Sequence, residues 1–76
     1  MYTLKAWLPG TSYFVARLED NTMGLITPEG YTPEPTWFLA SACSKHGYLV
    51  LKNPVQVNAP SEVSTVAAEL EKTLPV

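Results

Sequence analysis

The chain has 76 residues, of which 46% are hydrophobic and 16% charged, and a formal net charge of −2. This length predicts one domain, 1–76, and the balance of apolar to charged residues excludes intrinsic disorder. The five cations, Lys5, Arg17, Lys45, Lys52 and Lys72, are scattered rather than clustered, which disfavours both the phosphate contacts of a nucleic-acid binder and attachment to anionic membranes.

Residues 2–8, YTLKAWL, alternate with the period of a half-buried strand. This places Tyr2, Leu4, Ala6 and Leu8 on one side and Thr3, Lys5 and Trp7 on the other. Pro9-Gly10 suits the centre of a type II turn. YFVARL, 13–18, predicts a second strand with Phe14, Ala16 and Leu18 on one face and Tyr13, Val15 and Arg17 opposite. Glu19-Asp20-Asn21-Thr22 is turn chemistry, because Asp and Asn tolerate left-handed backbone and bond to nearby amides. MGLIT, 23–27, predicts a third strand and completes an antiparallel meander.

The segment 27–38, TPEGYTPEPTWF, carries Thr-Pro-Glu twice. Pro28, Pro33 and Pro35 remove three backbone donors and bias the preceding residues toward extended geometry. The expectation is a semi-rigid loop with polyproline II character, neither helix nor central strand. Thr36 is the expected N-cap of a helix over about 37–46, with Gly47 as its left-handed stop. Phe38, Leu39, Ala42, Cys43 and His46 share its inner stripe.

YLVLK, 48–52, predicts a strand that Asn53-Pro54 breaks, with 55–57 continuing it after a kink or forming a short edge strand. A second helix starts with Pro60 at its first position or Ser61 as cap. Val63, Val66, Ala67, Leu70 and Leu74 form its inner face, and Pro75 ends it. The order β-β-β-α-β(-β)-α predicts an α+β fold: a small antiparallel or mixed sheet with two helices packed on one face. A small SH3- or OB-like barrel with a C-terminal helix is the alternative.

Candidate chemistry is sparse. Cys43 and His46 have a Cys-x-x-His spacing, but the chain has no other Cys or His, so thiolate and imidazole alone cannot supply the four ligands of a zinc site. Their i, i+3 spacing also lacks the orienting third group and oxyanion donors of a nucleophilic site. The four isolated glycines form no phosphate-cradling loop. No cofactor is expected, and the chain is read as a non-enzyme.

Trp7, Tyr13, Tyr31 and Tyr48, with Arg17 and Lys52, could form a base-stacking platform, against the electrostatic balance. The stiff aromatic-acidic loop gives the preferred expectation. Tyr31 and Trp37 would meet an apolar partner surface with little entropic loss, and Glu29 and Glu34 would form an acidic rim.

The expected function is a small protein-interaction module that docks on a larger protein as inhibitor, adaptor or regulatory subunit. A nucleic-acid-binding or transcription-regulating β module is the alternative. Homodimerisation through an edge strand or helix face is a third expectation. One cysteine excludes an intrachain disulfide, and the opening MYTLKAWLPG lacks the apolar core of a signal peptide, so a reducing, cytoplasmic setting is expected. Apolar runs such as 13–16 are far shorter than the roughly 20 residues of a membrane helix. The size also suits an accessory gene product of a phage or mobile element.

Overall fold

The computed structural model describes residues 1–35 and 37–73. Its strands are β1 (Tyr2–Trp7), β2 (Phe14–Arg17), β3 (Met23–Thr27), β4 (Gly30–Glu34) and β5 (Leu49–Val57). Its helices are α1 (Phe38–His46) and α2 (Val63–Thr73), the latter entered through a 3₁₀ turn, Pro60–Glu62. All strand pairings are antiparallel, and the sheet order is β4-β3-β2-β1-β5. The fold is therefore α+β with an open sheet. The barrel alternative does not form, because β4 and β5 end the sheet at opposite edges.

Local chemistry sets the turns. Gly10 takes φ +84, as the Pro-Gly turn requires. The Trp7 indole N–H donates to the Thr11 carbonyl at 2.8 Å and fastens the same turn. Asn21 takes φ 70, and the Thr22 amide donates to Asp20 Oδ1 at 3.0 Å. That hydrogen bond holds the Asp20 carboxyl below its usual pKa. At the second helix, Ala59 occupies the cap position, Pro60 follows it, and Glu62 Oε2 accepts from the Asn58 amide at 3.2 Å.

The helices lie on opposite faces of the sheet, not on one. Leu4, Trp7, Phe14, Ala16, Ile26 and Val57 pack with Val63 and Ala67 of α2. Ala6, Val15 and Tyr48 pack with Ala42 of α1, with Leu25, Phe38, Leu39 and Cys43 around them. The reason is visible in β2, where Phe14, Val15 and Ala16 are consecutive and all fully buried. A strand with apolar residues on both faces needs a cover on each. The chain supplies one helix between β4 and β5 and the other after β5. The inner stripes expected for both helices are found, except that His46 is exposed and Leu74 lies outside the described residues, as does the Pro75 stop.

Two further departures from the sequence reading have local causes. The β1–β2 register slips by one residue between Leu4↔Ala16 and Ala6↔Val15. Lys5 is the extra residue of a β-bulge, which re-aims every side chain after it. Leu4 and Trp7 thus share the α2 face, and Ala6 turns to the α1 face, whereas plain alternation would oppose Leu4 to Trp7. On the other side of β1, residues 51–54 lie opposite Lys5 alone. The Asn53-Pro54 kink is accommodated there without ending β5.

The second departure is β4. Gly30–Glu34 is a strand paired with β3, with Pro33 opposite Gly24, and not a polyproline-like loop. Proline is tolerated because β4 is an edge strand, where missing donors need no partner. Tyr31 crosses the sheet from this edge to meet Tyr2 of β1, ring centroids 5.3 Å apart. The Ala16↔Gly24 pair of the intervening strands leaves room for both rings.

Candidate docking surface

The four residues singled out from the proline-rich segment separate in space. Glu29 is exposed in the β3–β4 turn, where its amide donates to Thr27 Oγ1 at 3.2 Å. Glu34 ends β4 opposite Met23 and is half-buried. Glu29 lies in the turn before β4 and Glu34 at the far end of that strand, whose four steps span roughly 14 Å, so they form no common rim. Tyr31 is half-buried and belongs to the core packing on the α2 face. Its ring lies over Gly24, where a β-carbon would come within 2.7 Å of Cζ and Oη. Burial first, then the Asp20 and Tyr2 charges, raise the pKa of its phenol.

Trp37 behaves differently. It flanks the first residue of α1, with φ −74 and ψ −9 and no side-chain cap. Its carbonyl accepts from the Ser41 amide at 3.3 Å, and the Phe38 amide donates to the Pro35 carbonyl at 2.9 Å. The backbone here is therefore held on both sides, while the indole is 66% exposed. The expected Thr36 cap lies outside the described residues. Trp37 and Glu34 share the β4–α1 junction, and the other two candidates do not reach it.

Phe38 leads from this junction into a cleft of about 290 Å³ between α1 and the sheet. Leu8, Tyr13, Leu25, Phe38, His46 and Tyr48 line it. Phe38 and His46 come from the two ends of α1, Leu25 from β3, and Leu8 and Tyr13 from either side of the first turn. The lining is mainly apolar and aromatic, with phenol and imidazole groups as polar handles. Burial, and secondarily Tyr13, push the Tyr48 phenol above its ordinary pKa. The volume sits at the small end of the roughly 300–1,000 Å³ of ligand sites, a size that accepts one large apolar side chain.

The other sequence candidates are not assembled into a site. Cys43 is half-buried in the packing under α1, while His46 lies in the cleft. Among the described residues, no group of three or more His, Cys, Asp or Glu side chains is placed to hold a metal ion. Trp7 and Tyr48 are buried and Tyr31 is half-buried, so of the four proposed stacking aromatics only Tyr13 is exposed. Among the described residues, no helix is long and apolar enough to cross a membrane.

Two features escaped sequence reasoning. The cleft gathers residues from four separate segments, and no single stretch announces it. Leu49 and Val50 of β5 are 47% and 66% exposed. Their run of apolar neighbours, Tyr48–Leu51, reads equally well as a buried strand. No protein-family model matches the chain, and no curated protein or solved structure shows a significant match to it.

Proposed function

We propose that the chain is a small, non-enzymatic interaction module that docks on a larger protein as an inhibitor, adaptor or regulatory subunit. Trp37 carries this reading: a large aromatic side chain, 66% exposed, on a backbone that hydrogen bonds hold in place. Ordering such a side chain on binding costs little, because the backbone is already fixed. Tryptophan is also among the side chains that dominate interface energetics. The adjoining cleft offers a place for an apolar side chain of the partner, and Glu34 adds a negative charge that favours encounter with a basic rim. The action would be occlusion or bridging, and the single cysteine suits a reducing setting such as the cytoplasm.

The test is capture of partners from host lysate on the immobilised full chain, with nuclease, comparing wild type with Trp37→Ala. One stoichiometric protein retained by wild type is expected. Trp37→Ala should weaken it by about 30-fold or more, corresponding to a hot spot of about 2 kcal/mol or above. Equal capture by a folded Trp37→Ala variant would remove the assignment. Recovery of nucleic acid instead of protein would replace it with the nucleic-acid reading.

A further inference from the structure

Tyr48 stands apart from the other residues that line the cleft. The chain leaves α1 through the left-handed Gly47, and Tyr48 follows at once, packed with Ala6, Val15 and Ala42. The residue is only 7% exposed, yet its hydroxyl makes no hydrogen bond to a described residue. The Tyr31 hydroxyl is also without a partner, but it is sealed in the core. The Tyr48 hydroxyl is not sealed, and the cleft that its ring lines is where it opens. Burial keeps this phenol protonated to higher pH than usual, so near neutrality it is a free donor at the floor of the cleft.

The walls define what the donor can meet. Leu8, Leu25 and Phe38 are half-buried and Tyr13 is exposed, so each still shows apolar surface to the cleft. The rings of Phe38, Tyr13 and Tyr48 favour a flat partner, because aromatic groups gain from offset or edge-to-face contact. No Lys, Arg, Asp or Glu lines the cleft, so a carboxylate or ammonium group would lose its hydration there without a full counter-charge. A hydrocarbon group fills these walls but leaves the Tyr48 hydroxyl dry and unpaired, at the cost of a lost hydrogen bond. We infer that the cleft binds a small neutral aromatic molecule with one acceptor oxygen, such as an aryl ketone or amide, which accepts from the Tyr48 hydroxyl. A volume of about 290 Å³ suits a ligand of one or two rings. Such a ligand and a side chain of a docking partner would compete for the same space.

The test follows backbone amide shifts of the full chain by nuclear magnetic resonance while three probes are added separately. These are acetophenone, its isostere α-methylstyrene with a methylene in place of the oxygen, and benzoate. Acetophenone should give saturable shifts centred on residues 8, 13, 25, 38, 46 and 48, and benzoate should bind more weakly. Tyr48→Phe removes only the hydroxyl. It should lower the ratio of ketone to alkene affinity by about five-fold, the usual net effect of one hydrogen bond. Comparing ratios cancels the greater hydrophobicity of the alkene. Trp37→Ala should bind acetophenone like wild type, so failure of this site and failure of the Trp37 docking reading are distinguishable. The inference is overturned by shifts that do not saturate or lie away from the cleft, by benzoate binding more tightly than acetophenone, or by an affinity ratio that Tyr48→Phe leaves unchanged.

Discussion

Replacing Gly24 with alanine is expected to destabilise the protein by about 2 kcal/mol. The added β-carbon would run into the Thr32 carbonyl oxygen of β4 and lie 2.7 Å from Cζ and Oη of Tyr31. The tyrosine ring can swing away only by leaving Tyr2, 5.3 Å off, and the carbonyl belongs to the β3–β4 ladder. Overpacking of this kind costs about 1–3 kcal/mol, and a backbone obstacle places it in the upper half of that range. The better strand propensity of alanine offsets about 0.5 kcal/mol. At about 4–8 °C per kcal/mol for a domain of this size, the midpoint of thermal unfolding should fall by about 8–16 °C. Urea unfolding of Gly24→Ala, Tyr31→Ala and the double variant separates the two obstacles. Removing the ring should relieve part of the clash, so the double variant should lose about 1 kcal/mol less than the sum of the single variants. A Gly24→Ala protein as stable as wild type would refute the packing of Tyr31 over β3.

Other outcomes follow from the same structure. Gly47→Ala should cost about 1 kcal/mol in urea unfolding, from its φ of +80 alone, because nothing lies within 4 Å of the added carbon. Trp7→Phe leaves the Thr11 carbonyl without its indole donor and opens space in the core, so a loss of about 2 kcal/mol is expected in the same assay. In Trp37→Phe, only buried Trp7 remains, and acrylamide should quench its fluorescence weakly; in Trp7→Phe, exposed Trp37 should be quenched readily. Tyr31 and Tyr48 both have phenol pKa values raised in the fold above 10.0. The folded state therefore keeps its phenol protons to higher pH than the unfolded state. Stability from these groups is complete below 10.0 and declines as pH rises toward the folded values. Urea midpoints of Tyr48→Phe measured across that window should fall less steeply than those of wild type.

Much of the fold is legible where local chemistry decides it. β3 has the bounds read from its sequence, because turn residues fence it on both sides. The inner stripe of α2 is equally plain, since Val63, Val66, Ala67 and Leu70 repeat at helical spacing. The bulge at Lys5 is not legible by alternation, which merely counts one residue after another. A clue does exist: regular alternation puts Trp7 on the same side as Thr3 and Lys5, a poor place for the largest side chain of a small core. β4 was hidden by its prolines, because whether a strand can spare its donors depends on lying at an edge, and edges are set by the whole sheet. Placement of the helices on opposite faces was written in the run Phe14-Val15-Ala16. At the docking surface, Trp37 and Phe38 are neighbours about 100° apart on a helix, so they point in different directions. Phe38 follows the stripe into the cleft and Trp37 is left outside. Tyr31 points inward because Gly24 leaves a hollow for it, and that hollow exists only once β3 and β4 are paired.

The central position of β1, between β2 and β5, has a consequence for the order of events during synthesis. β1 finds β2 within a few residues, yet its other edge stays open until residues 49–57 have emerged. The meander and α1 can gather early from local contacts, but the sheet closes around β1 only once β5 has emerged. Loop closure over so long a stretch is slow compared with hairpin formation. Nascent chains halted before β5 should therefore hold Leu4, Ala6 and Trp7 beside an open edge, in a form prone to wrong pairing. β1 is thus completed only by β5, a strand that follows it after three others and a helix.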